Sequence, residues 1–246
     1  SMVLLQNKSN ILPLSKNIKK VAVIGPNADD KPMMWGNYNG SPFTTVTILD
    51  GIKNKIGKNK IVYDKGCSLI DDQMLISLLP NCSFEGKKGI KATFWNNQEM
   101  QGDPVSTIQI VDPINVSTYG NHSFAPNVNL LKFSGLYKTQ FTPSVTEEIV
   151  FRISGASYWE LFVNGVSLKS SRSWRDTEYK IPFNVEKGKK YNIELRYAQI
   201  ETYNANLKFD FGREIPLDYD AAIKRLKDVD VVIFVGGISP QLEGEE

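Results

Sequence analysis

Two short apolar runs near opposite ends of the chain constrain the fold most strongly. Residues 21–24 (VAVI) end at a Gly-Pro pair, and residues 231–235 (VVIFV) end at two glycines. Neither run alternates apolar with polar residues, which is typical of parallel strands that are covered on both faces. A third run at 61–63 has the same character. We therefore predict that these three segments lie in one parallel sheet, although a long stretch of chain separates the second from the third.

Helical patterns accompany these runs. Residues 47–56 carry isoleucines four positions apart on one face, and Gly57 follows them, as glycine does at many helix ends. A second helix is predicted to begin at Pro216 and Leu217, and its apolar stripe comprises Tyr219, Ala222, Ile223 and Leu226. Short apolar strands combined with helices predict α/β structure at both ends of the chain.

Between these ends, the hydrophobic period changes to two. Residues 160–165 (ELFVNG) are typical of a half-buried strand that ends in an Asn-Gly hairpin turn, and residues 191–197 (YNIELRY) alternate in the same way. Many such strands at roughly ten-residue spacing indicate an all-β sandwich or barrel. We predict an α/β parallel-sheet fragment, formed by 1–84 and 214–246, that is interrupted by an inserted all-β sandwich domain at 85–213.

Composition and charge exclude several function classes. Lys plus Arg number 29 and Asp plus Glu number 27, so the net charge of +2 gives no electrostatic reason to expect nucleic acid or a membrane as a partner. Neither Cys67 nor Cys82 lies near the single His122 or in a C-x-x-C motif, which excludes a zinc site built from His and Cys. We expect no metal and no cofactor. The two cysteines either form a disulfide or remain separate thiols. His122 lies in a polar, loop-like stretch, which argues against a His-dependent hydrolase.

Both ends of the sequence have the character of cut positions. The first two residues, Ser1 and Met2, resemble a cloning remnant, and no signal peptide follows them. At the other end, the sequence stops soon after the run at 231–235, before any helix that could cover that strand. We therefore expect this sequence to be a piece of a larger protein.

The acidic segment after the run at 231–235 is the first candidate site. Glu243, Glu245 and Glu246 lie within four residues, and open α/β sheets bind their ligands beyond the carboxyl ends of the strands. Repulsion among the three carboxylates is expected to raise at least one pKa, as a general acid requires. The alternative is a solvated acidic loop without a catalytic role.

The segment after the first strand provides a second set of candidates. The turn at 25–29 (GPNAD) matches neither the dinucleotide-binding nor the P-loop glycine spacing, so no nucleotide site is expected there. Trp35 and Tyr38 follow in a loop, and we consider both as substrate-binding residues that stack on sugar rings. Alternatively, these two aromatic side chains are packing anchors.

Several motifs, taken in order along the chain, resemble one hydrolase family. The sequences LLQN at 4–7, ILPL at 11–14 and VAVIGPNA at 21–28 resemble the opening of the second catalytic-region domain of glycoside hydrolase family 3. The loop GNYNGSP at 36–42 is similar to that of its β-xylosidase-like and β-glucosidase-like members. Residues 231–246 resemble the strand and loop that bear the acid/base glutamate of the family.

This resemblance implies retaining hydrolysis of β-linked sugars by two carboxylates about 5 to 5.5 Å apart. The family's nucleophile is an aspartate on a preceding barrel domain, no part of which is present in this sequence. The acid/base maps onto Glu245, with Glu243 as the alternative, because Glu246 stands where many members carry glycine. This sequence would then hold half of an active site and would be inactive alone.

The middle segment is similar to the β-sandwich domain first described in anthrax protective antigen, through FSGLY at 133–137, LFVNG at 161–165 and EKGKKY at 186–191. Relatives that bind sugar through calcium carry two adjacent aspartates before the LFV strand. This chain has Ala156 and Ser157 there, so no calcium site is expected. In members with this insert, the domain leans over the active-site mouth. Trp159 and Trp174 are our candidates for that substrate-binding rim, with ordinary core positions as the alternative.

Together, these features predict a fragment of a retaining, exo-acting β-xylosidase or β-glucosidase, which cleaves terminal β-linked sugars of plant-type oligosaccharides. Its partners would be an oligosaccharide or glycoside substrate and the missing N-terminal barrel domain of the same parent chain. The parent is expected to be periplasmic or extracellular. The alternative function is that of a stand-alone carbohydrate-binding or adhesion module.

Overall fold

The computed structural model describes residues 2–36, 40, 42, 44–67, 72–200, 204–238 and 243. These residues contain sixteen strands and two α-helices, so the described part of the chain is mostly β-sheet. They divide into two compact units. The α/β unit comprises 1–40, 44–73 and 216–246, and the β unit comprises 41–43 and 74–215.

The helices are α1 (Ile48–Ile56) and α2 (Tyr219–Arg225). The strands are β1 (Val21–Ile24), β2 (Ile61–Asp64), β3 (Gln73–Ser77), β4 (Ser83–Phe84), β5 (Lys87–Lys88), β6 (Ile90–Trp95), β7 (Ser106–Ile110), β8 (Ile114–Ser117), β9 (Ser134–Phe141), β10 (Glu147–Ser154), β11 (Ser157–Val163), β12 (Val166–Ser173), β13 (Glu178–Val185), β14 (Tyr191–Ala198), β15 (Asn206–Pro216) and β16 (Val231–Phe234). Across the described ranges, neither helix has the length and apolar character needed to cross a membrane.

The α/β unit contains a three-stranded parallel sheet in the order β16–β1–β2. Val21 pairs with Val231 on one side and with Ile61 on the other, and this register continues to the ends of the strands. Val21, Ala22 and Val23 of the central strand have no exposed surface, as expected for an apolar run covered on both faces. The three runs that the sequence analysis grouped therefore pair in parallel. The expected cover on both faces holds for β1 but was wrong for β16, where Val232 and Phe234 are 49% and 62% exposed, because β16 lies at the end of the described sheet.

Helix α1 packs against this sheet through its isoleucine-rich face. Thr47 Oγ1 caps the helix by accepting a hydrogen bond from the Asp50 amide at 3.1 Å. The helix ends at Gly57, whose φ of 96° favours glycine. Leu49 is fully buried and belongs to one apolar cluster with Val21 and Val23. Burial of one such aliphatic side chain stabilises the folded unit by about 2 kcal/mol.

Helix α2 leaves most of its apolar stripe exposed. Asp218 caps it by accepting a hydrogen bond from the Ala221 amide at 2.8 Å. Of the predicted apolar stripe, only Ala222 is buried, whereas Tyr219 and Ile223 are 43% and 65% exposed. The helix has only seven residues, which is about two turns, so it presents few positions to the sheet. The predicted helix is present, and the larger side chains of its apolar stripe are not buried.

The β unit is built from two sheets that share one hydrophobic core. One sheet has the order β13–β10–β15–β3, with β8 also paired to β15. The other has the order β12–β11–β14–β9–β4–β5, with β6 on β9 and β7 on β6. Burial in β11 alternates from Ser157 to Val163. Asn164 and Gly165 follow in the hairpin turn with φ values of 50° and 79°.

Aromatic side chains from both sheets meet in this core. Phe141 of β9 contacts Phe211 of β15 edge to face, with ring centroids 5.4 Å apart. Phe151 of β10 lies 5.2 Å from Phe211. Aromatic rings bury large apolar areas, and such pairs contribute about 0.5–1.5 kcal/mol beyond the burial itself. The Phe141–Phe211 contact joins the two sheets, whereas Phe151 and Phe211 lie on neighbouring strands of one sheet.

The β unit begins earlier than the sequence analysis placed it. Strand β3 lies beside β15, and β4 pairs with β5 and β9. The structure therefore groups residues 74–84 with the β unit, whereas the sequence assigned them to the first α/β segment. At the other end, β15 continues to Pro216, beyond the expected boundary at 213. Although β5 is near β4 in sequence, β15 and β9 are distant from β3 and β4, so local patterns did not reveal the boundary.

Both cysteines are free, so they are separate thiols and do not form a disulfide. Cys82 is buried in the β unit and donates to the Leu78 carbonyl over 3.5 Å. Burial raises the pKa of the Cys82 thiol to about 12. This thiol is consequently protonated at neutral pH, and it packs as a small apolar side chain.

Two glycines near β5 provide a test of close backbone packing. Gly86 has a φ of 77° and open space where a Cβ would lie, whereas at Gly89, with φ of 91°, a Cβ would lie 2.1 Å from the Ile110 carbonyl oxygen. We expect Gly86→Ala to lower the free energy of unfolding by about 1 kcal/mol, the cost of a left-handed backbone. Gly89→Ala should cost at least about 2 kcal/mol more, because β6 and β7 must separate. Urea denaturation of both variants measures the difference. Equal destabilisation would contradict the predicted role of close packing.

Candidate functional site

The carboxyl ends of β16, β1 and β2 lie at one edge of the parallel sheet. Phe234, Ile24 and Asp64 occupy the same register position at these ends. Ligands of open parallel sheets bind beyond this edge. We define the edge site as residues 25–30, which follow β1, together with 235–237, which follow β16.

The turn after β1 contacts the segment after β16 through its backbone and one side chain. Gly25 has a φ of 113°, and a Cβ at this position would lie 2.2 Å from the Val235 carbonyl oxygen. The Asn27 amide donates to the same Val235 carbonyl over 3.3 Å. Asn27 Nδ2 donates to the Gly237 carbonyl oxygen over 2.9 Å. Only a glycine at position 25 permits this close approach, so the two halves of the edge site form one packed unit.

The same turn is attached to the beginning of α1. The Leu49 amide donates to the Ala28 carbonyl over 2.8 Å. Thr47 Oγ1 donates to Asp29 Oδ1 over 2.9 Å while it caps the helix. Thr47 is itself buried, so these hydrogen bonds form in a partly dry environment where their loss is costly. The edge site is therefore built on a turn that a helix N-terminus and a strand hold in place.

Two carboxylates, Asp29 and Asp30, lie in the edge site, and Asp64 lies beside it at the end of β2. Burial raises the pKa of the Tyr63 phenol, and the nearby carboxylates of Asp29, Asp64 and Asp30 raise it further. Asp64 also pairs with the guanidinium of Arg225. Carboxylate oxygens accept hydrogen bonds and repel anions. Such a surface suits a neutral, hydroxyl-rich ligand better than a phosphate.

The residues predicted for this site have different outcomes. Trp35 is half-buried, and its Nε1 donates to Thr45 Oγ1 over 2.6 Å, so the indole is fixed by a hydrogen bond within its own loop. Glu243 is exposed. Tyr38 and Glu245 lie outside the described residues. The structure thus places the strands that lead to the acidic segment, and the roles of its glutamates stay predictions.

Asn27 is the residue that the sequence analysis missed. The turn containing it was considered only as a phosphate site and was set aside. Its position immediately after a buried parallel strand was the available signal, because side chains at that position face the ligand-binding edge.

The two tryptophans predicted for a substrate rim lie in different environments. Trp159 of β11 has no exposed surface and contacts Tyr179 with ring centroids 5.4 Å apart. It is a core residue, so its expected role at the rim is corrected: its position faces the interior of the β unit. Trp174 is 62% exposed, and the Arg175 guanidinium lies 4.8 Å from its ring centroid. Trp174 is therefore the one of the two that is accessible to a ligand.

The positions where calcium-binding sandwiches carry aspartates are occupied by internal hydrogen bonds. The Ala156 carbonyl accepts from the Tyr197 hydroxyl over 2.9 Å, and the Ala156 amide donates to Asn206 Oδ1 over 2.8 Å. Ser157 Oγ accepts from the Ile200 amide over 2.8 Å. In the ranges that the structure describes, no group of three His, Cys, Asp or Glu side chains is arranged to hold a metal ion.

Comparison with known proteins gives a consistent result. The family model of the glycosyl hydrolase family 3 C-terminal domain matches residues 2–246. A xylan 1,4-beta-xylosidase from Xylanibacter ruminicola is 48% identical over 248 residues, which cover 100% of this chain and 29% of that protein. A putative beta-glucosidase from Schizosaccharomyces pombe is 26% identical and covers 100% of this chain and 32% of its own length.

Among solved structures, a beta-glucosidase from Kluyveromyces marxianus in complex with glucose is similar, with a TM-score of 0.51 and 19% identity. The alignment covers 99% of this chain and 32% of that one. At this identity the likeness concerns the fold. The chain spans about a third or less of the length of these three relatives.

Asp230 provides a test of how the parallel sheet begins. Its carboxylate accepts hydrogen bonds from the Lys20 and Lys19 amides over 3.0 and 2.7 Å, and these bonds lower the pKa of Asp230. A lowered folded pKa stabilises the protein above the unfolded pKa of about 3.9 and loses that contribution as pH falls through the folded value. We expect Asp230→Asn, which keeps an acceptor oxygen, to be less stable than the parent at pH 6 and to approach it below about pH 4. Denaturation curves at both pH values measure this. A stability difference that does not change with pH would contradict the assignment.

Calcium is expected neither to bind nor to stabilise the β unit, because Ala156 and Ser157 provide no carboxylates and their polar atoms are already hydrogen-bonded. A bound ion would raise the melting temperature by mass action. Thermal unfolding at millimolar calcium, with magnesium at equal ionic strength as the control, tests this. A rise in melting temperature specific to calcium would refute it.

Proposed function

This chain belongs to the glycosyl hydrolase family 3 C-terminal domain family, and from that premise we propose that it forms part of a retaining, exo-acting β-glycosidase. The observation that carries the proposal is the 48% identity to a protein named as a xylan 1,4-beta-xylosidase, along the whole of this chain. Other relatives are named as beta-xylosidases and beta-glucosidases. The proposed substrates are terminal β-linked xylose or glucose residues of plant-type oligosaccharides, with the xyloside favoured by that identity.

The two units have separate roles in this proposal. The α/β unit carries the acid/base segment after β16, and the β unit is a sandwich inserted between β2 and α2 that contacts the sugar chain. The adjacent positions of β3 and β15 in one sheet support an insertion, because the first and last strands of the β unit then lie side by side. Trp174 is the proposed sugar contact of the β unit, since an exposed indole can stack on the apolar face of a sugar ring.

The proposed reaction uses two carboxylates. An aspartate on the family's barrel domain, outside this chain, attacks the anomeric carbon while Glu245 donates a proton to the leaving glycosidic oxygen. Glu245, then ionised, removes a proton from the water that hydrolyses the glycosyl-enzyme. Glu243 is the alternative for this role. Because the proposed nucleophile lies outside these residues, the isolated chain is expected to catalyse nothing.

The acidic character of the edge site supports a neutral sugar as the ligand. Asp29, Asp30 and Asp64 lie near Tyr63, and their oxygens are acceptors suited to sugar hydroxyls. We further propose a periplasmic or extracellular location for the parent protein, because oligosaccharides of plant cell walls are met outside the cytoplasm.

Substitution of the glutamates in the full-length parent tests the proposal. A general acid matters most for poor leaving groups, which need protonation in the transition state. We expect Glu245→Ala to slow hydrolysis of a xylo-oligosaccharide by roughly 10² to 10⁴ and that of a nitrophenyl xyloside by less, with partial rescue by azide. Glu243→Ala, the matched control, should lose less and show no rescue by azide.

The outcome decides between the two glutamates. Exchanged phenotypes would assign the acid to Glu243, and unimpaired variants would identify a solvated acidic loop. The isolated chain serves as the negative control. If it hydrolysed an aryl xyloside or glucoside above background, the assignment of the nucleophile to residues outside this chain would be wrong.

A further inference from the structure

Asn27 connects the turn after β1 to the segment from which the acidic residues follow. Its side chain is 2% exposed. Nδ2 donates to the Gly237 carbonyl over 2.9 Å, and the backbone amide donates to the Val235 carbonyl over 3.3 Å. The remaining polar atom, Oδ1, is buried and has no hydrogen-bond partner among the described residues. A buried amide oxygen without a hydrogen bond destabilises the folded state unless a further donor reaches it.

The segment after β16 needs such an anchor for a physical reason. It begins with Gly236 and Gly237, and Gly237 has a φ of 124°. Two consecutive glycines allow many backbone conformations, so the direction in which the chain continues is weakly determined by local preferences. A side-chain hydrogen bond to the Gly237 carbonyl selects one of these conformations. Asn27 supplies that bond six residues before Glu243.

Asn27 itself is held firmly. Pro26 precedes it, and Gly25 approaches Val235 so closely that a Cβ would lie 2.2 Å from the Val235 carbonyl oxygen. On the other side, the Ala28 carbonyl accepts from the Leu49 amide over 2.8 Å at the beginning of α1. A group that positions another must be less mobile than the group it positions. The turn that carries Asn27 meets this condition.

We infer that Asn27 is a positioning residue, which fixes the Gly237 carbonyl through Nδ2 and thereby sets the direction of the chain that follows, so that the acid/base glutamate reaches the glycosidic oxygen. This inference rests on the proposed function. According to this inference, Asn27 does not touch the substrate. Asparagine is required because aspartate, although equal in size, would direct a carboxylate oxygen at the Gly237 carbonyl and lacks the N–H donor.

The first experiment measures hydrogen–deuterium exchange in the isolated chain and needs no activity. We expect Asn27→Ala and Asn27→Asp to increase amide exchange in peptides covering 235–246 by roughly tenfold, as loss of one hydrogen bond implies, without a change at 48–56. The matched control is Thr47→Val, which removes a buried hydroxyl from the same turn region without touching 235–237. It should increase exchange at 48–56 instead. Unchanged exchange at 235–246 in both Asn27 variants would overturn the inference.

The second experiment measures kcat/KM in the full-length enzyme with a xylo-oligosaccharide and with a dinitrophenyl xyloside. A displaced acid impairs only the substrate with the poor leaving group, so we expect Asn27→Ala and Asn27→Asp to lower the first value by roughly 10²-fold and the second by less than about threefold. Thr47→Val should change both by the same factor. If both kcat/KM values of Asn27→Asp equal those of the wild type, Asn27 only fills space and the positioning role is refuted. A loss in Thr47→Val that is confined to the xylo-oligosaccharide would also refute it.

The glutamate variants distinguish failure of the proposed function from failure of the inference about Asn27. If neither Glu245→Ala nor Glu243→Ala shows a loss that depends on the leaving group, the proposed function fails, and the exchange experiment alone decides whether Asn27 anchors the segment. If one of them shows that loss and the Asn27 variants do not, the proposed function stands and the inference about Asn27 is wrong.

Discussion

The parallel pairing of β1 with β16 is the interaction on which the candidate site depends. It joins Val21 to Val231 in register and thereby brings Asn27 to the Gly237 carbonyl across 210 positions of sequence. β1 lies between β2 and β16, and the first three residues of β1 are fully buried, so the apolar character of these strands stabilises the contact rather than any single hydrogen bond. Without this pairing, the turn after β1 would not contact Val235 and Gly237, which follow β16.

The β unit reduces the cost of closing such a long connection. Bringing together two strands across a flexible chain costs conformational entropy that grows with the length of the loop. The β unit has its own aromatic core, including Phe151 and Phe211, and its first and last strands, β3 and β15, are neighbours in one sheet. A folded insert whose ends lie side by side acts as a short link. This reasoning supports the proposal that the sandwich interrupts the parallel sheet.

Local patterns predicted the elements well and their packing less well. The unalternating runs and the capping residues of α1 correspond to the observed β1, β16 and α1, because these signals depend on a few neighbouring residues. The stripe on α2 did not become buried, since Ile223 is 65% exposed. Trp159 and Trp174 could not be distinguished in advance. Alternation shows that a strand has two faces, but only the arrangement of the sheets decides which face is inside.

The sequence by itself determined which segments become the parallel strands, where α1 begins and ends, and which carboxylates are available after β16. The tertiary structure decided that Asn27 faces Gly237, that Trp159 is a core residue, and that residues 74–84 join the β unit. The physical reason is the range of the interactions. Helix caps and hydrophobic periodicity act between residues a few positions apart, whereas strand pairing and side-chain anchors act between residues that only the folded chain brings into contact.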